Sequence, residues 1–237
     1  DSNFVLGEPV SEIKYVCRNV DIIMARLIKN ETVELFGKNA TVPFINGCDN
    51  SYHPCQILAD ALTILEKFGT LDVNLMYIGA KNNVFNSHVE FFSKMKKGTL
   101  YGLTPLVNET ACGPDFYEEA KKSGHYIELD PAMSMEEAKE YANKMDVLYT
   151  DTWVDMEFFN NPAYQKQKEE TLAKMMPYQL NGDFTKDSKA IVFHDMPMHV
   201  GFEISQDVVD KNLDHILDEA ENRRHAEKAV MYTLLNS

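Results

Sequence analysis

Short apolar runs of strand length alternate with amphipathic stretches of helix length along almost the whole chain, and this limits the possible folds to a few. Residues 20–26, 42–45, 73–78, 99–103, 126–129, 147–150 and 190–194 read as strands. Residues 31–39, 54–68, 84–95, 117–123, 135–143 and 213–235 read as helices. Such alternation predicts an α/β protein with parallel sheets flanked by helices. Ligands of these sheets bind beyond the carboxyl ends of the strands. Asn82-Asn83, Asp151 and His194-Asp195 each follow an expected strand, so the pattern alone puts candidate chemistry at that edge. At 237 residues the chain holds one large or two small domains. Gly69-Thr70 is the expected boundary, separating a first domain over 1–68, with an incomplete sheet, from a second over 69–210. Residues 211–237 are expected to pack back on the first domain.

The octet His53-Pro54-Cys55-Gln56-Ile57-Leu58-Ala59-Asp60 opens an apolar helical run after the turn Asn46-Gly47. Pro54 suits a first helical turn, where its missing N–H leaves no bond unmade. His53 and Gln56, three residues apart, can share the open N-terminal end of that helix, which favours anions and carbonyl dipoles. Alone, the octet reads as a capped helix with an incidental histidine.

Charge narrows the partners. With 37 acidic and 23 basic residues the net charge is −14, which argues against nucleic acid or an anionic membrane surface. No apolar run approaches the roughly 20 residues needed to span a bilayer. Cys17, Cys48, Cys55 and Cys112 lie apart without a Cys-x-x-Cys pair, which points to free thiols, a reducing, cytoplasmic compartment and no metal site.

Four segments match one family in order. His53-Pro54-Cys55-Gln56 resembles the carbamoyl-phosphate contact of the aspartate/ornithine carbamoyltransferases. Gly79-Ala80-Lys81-Asn82-Asn83-Val84 resembles their Gly-Asp-Gly-Asn-Asn-Val turn. Asp151-Thr152-Trp153-Val154-Asp155-Met156 is similar to the Asp-x-x-x-Ser-Met loop of the ornithine branch, and His194-Asp195-Met196-Pro197 to its His-Cys-Leu-Pro. Glu221-Asn222-Arg223 adds a match in the last helix. The resemblance implies transfer of the carbamoyl group of carbamoyl phosphate to the side-chain amine of ornithine, without a cofactor, in a homotrimer. It assigns His53, Gln56, Asp195 and Arg223 to catalysis, and Arg26, Asn83, Asp151, Asp155, Met156 and Met196 to substrate binding. Read singly, Arg26 is a strand-end surface charge and Arg223 a salt-bridge residue; only the ordered set gives them these roles.

The departures from the family are as informative. Asp195 stands where the family has cysteine, Asp155 where it has serine, and Glu157 where it has glycine. Three acids, Asp151, Asp155 and Asp195, are therefore expected to converge on one cationic ligand, and like charges that close raise one another's pKa. The family's Ser-x-Arg-Thr-Arg phosphate loop has no counterpart, and the sequence reads as an incomplete version of a longer protein. Two further readings stay open: a non-catalytic or altered-specificity relative taking another diamine or basic amino acid, and a dinucleotide-binding oxidoreductase. The latter rests only on Gly79-Ala80-Lys81 and lacks Gly-x-Gly-x-x-Gly.

Overall fold

A computed structural model describes residues 8–154 and 159–237; Asp155 and Met156, two of the expected substrate contacts, lie outside the described residues. The N-terminal part runs α1 (Pro9–Cys17), β1 (Ile23–Arg26), α2 (Asn30–Asn39), β2 (Phe44–Cys48) and α3 (Pro54–Phe68). β1 and β2 pair in parallel, with Ile23 opposite Phe44. Ile13, Cys17 and Phe36 form a small core under them, with Phe36 stacked on Phe44 at 4.8 Å between ring centroids. α3 starts on Pro54 and stops at Gly69, whose φ of 71° is the left-handed conformation glycine adopts without strain.

The second part continues β3 (Asn74–Lys81), α4 (Asn83–Met95), β4 (Thr99–Val107), α5 (Pro114–Lys121), β5 (Tyr126–Glu128), α6 (Met135–Ala142), β6 (Val147–Tyr149), α7 (Gln165–Met175), β7 (Ile191–Phe193) and α8 (Gln206–Leu235). Its five strands are all parallel, in the order β5-β4-β3-β6-β7. β3 is central and buried on both faces, which explains its near-continuous apolar run Leu75-Met76-Tyr77-Ile78. One face carries a core that includes Tyr77, Phe85, Phe92 and Tyr149; the other carries Met76, Leu148, Val192 and Ile216. Burying each such side chain contributes about 1.5–3 kcal/mol.

Chain direction across the sheet reverses between β3 and β6, because β4 and β5 build one way and β6 and β7 the other. That switch point opens a crevice at the carboxyl ends of β3 and β6. Asn82 follows β3 and Asp151 follows β6, so both stand at its mouth.

α8 joins the two parts. Val208, Val209 and Ile216 lie in the second core, while Lys67 pairs with Asp218 at 2.5 Å and Asn222 donates to Thr63 Oγ1 at 3.0 Å along α3. The helix begins seven residues earlier than its expected start, since its first turns pack on the sheet. Two helices went unread. In α1 only Ile13 and Cys17 are buried, and in α7 only Met175, too few apolar positions to show a helical period. No helix among the described residues is long and apolar enough to cross a membrane.

Candidate active site

β1 ends at Arg26 and β2 at Cys48, so their carboxyl ends, with those of β3, β6 and β7, face one cavity of about 620 Å³. Arg26, His53, Asn83, Asp151, Asp195, Met196 and Arg223 all line it, which brings seven of the ten expected residues together.

His53 reaches the wall from a tight loop. Asp49, 2% exposed, accepts the N–H groups of Ser51 (2.6 Å) and Tyr52 (2.8 Å) on Oδ1, and the amides of Asn46 and Asn30 on Oδ2. Held this way, the loop delivers the His53 backbone N–H to Ser87 Oγ on α4 at 2.7 Å. Burial, reinforced by the charges of Arg223 and Arg26, pulls the His53 imidazole down to about 4, so it is neutral at physiological pH. Arg223 extends from α8 and donates to the Asp195 carbonyl at 2.6 Å. Arg26 and Arg223 are the two cationic side chains among the described residues lining the cavity.

The acids lie at the switch point. Asn82 caps α4, its Oδ1 accepting the Phe85 N–H at 3.0 Å, and its Nδ2 donates to Asp151 Oδ2 at 2.6 Å. Asp151 Oδ1 takes the Thr152 N–H at 2.6 Å, so this carboxylate is fixed at both oxygens. Asp195 sits beside it. Burial first, then the Asp151 charge, pushes the Asp195 carboxyl well above the usual carboxylate range. The expected convergence of acids is thus seen for Asp151 and Asp195, while Asp155 lies outside the described residues. Met196, the next residue, takes φ 55°, unusual for a non-glycine residue and held by its N–H donating to His194 Nδ1 at 3.0 Å. His194 is wholly buried, its Nε2 3.2 Å from Glu203 Oε1.

Gln56 departs from expectation. It is fully buried and does not line the cavity, because two carboxyl groups, Asp60 at 2.9 Å and Glu219, draw its amide inward. Asn83 lines the cavity, yet its amide is engaged with the Asp49 carbonyl at 2.7 Å. Asp49 and Thr152 have no role in the sequence reading, and Asn82 has only a place at a strand end beside Asn83. Asn82 carried a signal, as an N-cap residue next to a motif asparagine. Among the described residues no group of three or more His, Cys, Asp or Glu is placed to hold a metal.

Comparison with known proteins identifies the family. Residues 5–66 match the family model described as aspartate/ornithine carbamoyltransferase, carbamoyl-P binding domain, and residues 71–234 match its Asp/Orn binding domain. The chain belongs to the aspartate/ornithine carbamoyltransferase family. Among relatives in this family, the ornithine carbamoyltransferase of Archaeoglobus fulgidus is 34% identical over 97% of this chain and 71% of its own. That of Pyrococcus horikoshii is 37% identical over 97% of this chain and 70% of its own, and that of Chlorobaculum tepidum 35% over 97% and 65%. The solved ornithine carbamoyltransferase of Pyrococcus furiosus superposes with a TM-score of 0.84 at 32% identity, covering all of this chain and 74% of that one.

Proposed function

We propose that the protein transfers the carbamoyl group of carbamoyl phosphate to the side-chain amine of ornithine, giving citrulline and phosphate. One observation carries the reading: a single cavity holds two guanidiniums, a histidine kept neutral beside them, and buried carboxylates at a sheet switch point. Arg26 and Arg223 neutralise the phosphate, for which guanidinium donors are suited. His53, uncharged, offers one N–H to the carbamoyl oxygen and keeps the other ring nitrogen free of a proton. The Asp151 carboxylate, oriented by Asn82, holds the cationic substrate. The neutral amine attacks the carbonyl carbon, the C–O bond breaks with its electron pair leaving on phosphate, and the departing phosphate takes the proton that the nitrogen gives up. Positioning and charge stabilisation do most of the work in such a transfer.

The test is citrulline formation from carbamoyl phosphate and ornithine. His53→Ala should lower kcat by about 10²–10³-fold, the size of one lost transition-state donor, with a smaller change in the ornithine KM. Absence of citrulline from the parent protein would overturn the reading. A second reading, an altered amine substrate, is favoured by Asp195 beside Asp151, which sets two acids where one cation binds. Carbamoylation of another diamine in preference to ornithine would support it. The family resemblance also supports a homotrimer in the cytoplasm, and sedimentation of the purified protein as a monomer would remove the trimer.

A further inference from the structure

One helical turn behind the cavity wall, four polar side chains share a space closed to solvent: Gln56, Asp60, His88 and Glu219, none more than 2% exposed. Gln56 Nε2 donates to Asp60 Oδ1 at 2.9 Å and to Glu219 Oε1, so both amide hydrogens are taken, while its Oε1 has no partner. His88 Nε2 lies 3.1 Å from Asp60 Oδ2, and its Nδ1 lies 3.1 Å from the Val84 carbonyl oxygen. Burial, then the neighbouring Asp60 charge, pushes the Glu219 carboxyl well above its usual range, so Glu219 keeps its proton.

Each member is tied to the site. Gln56 follows His53 by three residues on α3, and Glu219 precedes Arg223 by four on α8, so each pair shares a helix face. His88 belongs to α4, whose Ser87 accepts the His53 N–H and whose first turn carries Asn83. The cluster thus joins the three helices that supply His53, Arg223 and Asn83.

We propose that Glu219 is a positioning residue for the transfer: by taking one amide hydrogen of Gln56 while Asp60 takes the other, it clamps the first turn of α3 to α8 and fixes His53 against Arg223. This role rests on the carbamoyl-transfer reading. Glu219 is faced by Asp60 from α3, Tyr149 from β6 and Asp195 after β7, with Arg223 on its own helix, while His88 from α4 lies against Asp60. When alkali removes the Glu219 proton, two carboxylates confront each other in the closed space and the clamp opens. A glutamine at this position still accepts from Gln56 and cannot ionise.

Steady-state kinetics from about pH 6 to 10 separate these states. Glu219→Gln should keep kcat within about threefold of the parent at neutrality and lose the parent's alkaline decline. Glu219→Leu, leaving an amide hydrogen unpaired, should lower kcat about 10- to 100-fold while the ornithine KM changes far less. Parent-like kcat in Glu219→Leu would overturn the proposal, as would equal losses in both variants with an unchanged pH profile. If Glu219→Leu fails to fold, the pH profile of Glu219→Gln decides alone. The 15N resonance of the Gln56 side-chain amide gives a readout independent of activity: it should titrate with alkali in the parent and not in Glu219→Gln. Should the parent make no citrulline, the functional reading falls, and this titration still tells whether the clamp exists.

Discussion

Asp195 concentrates the chain's individuality at the scale of one residue. Burial and the Asp151 carboxylate both oppose its ionisation and favour its protonated form. An entering ammonium supplies the missing positive charge, lets both acids ionise, and is itself held in the protonated form. Attack needs the neutral amine, so turnover should be slow near neutrality and should gain as pH rises, up to the alkaline range in which Glu219 loses its proton. Asp195→Cys is expected to raise kcat with ornithine several-fold near pH 7 and to flatten the rise toward alkali, measured by citrulline release. Lower ornithine turnover at every pH, with loss of activity on another diamine, would instead make Asp195 a recognition group for a second cationic centre.

At the scale of the element, α4 shows how one residue serves both folding and the site. Asn82 caps the helix through Oδ1 and orients Asp151 through Nδ2. Asn82→Ala should lower stability by about 1–2 kcal/mol through the lost cap, read as a drop in the urea midpoint. It should also raise the ornithine KM, since Asp151 loses its only side-chain donor at Oδ2 among the described hydrogen bonds. A stability loss with unchanged KM would show that Thr152 suffices to hold Asp151. The β3–β4 crossover is constrained differently. Gly98 has φ 66°, and a Cβ there would lie 2.2 Å from the Val73 carbonyl, so Gly98→Ala must shift the backbone joining two central strands.

For the whole molecule, buried ionisable groups set opposing pH dependences. His53 stays neutral in the folded chain between pH 6.5 and about 4, where an unfolded histidine takes up a proton. The unfolded state then binds more protons, so stability falls as pH drops through that window, by up to about 3 kcal/mol at its acid end. Asp195 and Glu219 carry the opposite sign: their raised pKa values keep protons that unfolded carboxyls lose above about pH 4, so their contribution declines as pH rises from there. His53→Gln should accordingly flatten the acid side of the urea-midpoint profile and leave the alkaline side in place. An unchanged acid slope would mean that other groups govern acid unfolding.

The strand–helix order, the parallel sheet and the placing of candidate residues at strand ends were legible in the sequence, because each is written locally. Burial on one or both faces leaves a period, Pro54 and Gly69 mark where a helix can start and stop, and motif residues sit at strand ends. α7 left no such trace, since a mostly exposed helix needs no apolar stripe. Tertiary structure alone decided where Gln56 points, for the carboxyl group that draws it inward, Glu219, is 163 residues away along the chain. It also decided that His53 should stay neutral. Protonation and side-chain direction depend on which distant charges share a closed volume, and the meeting of faces that creates that volume is recorded in no local pattern.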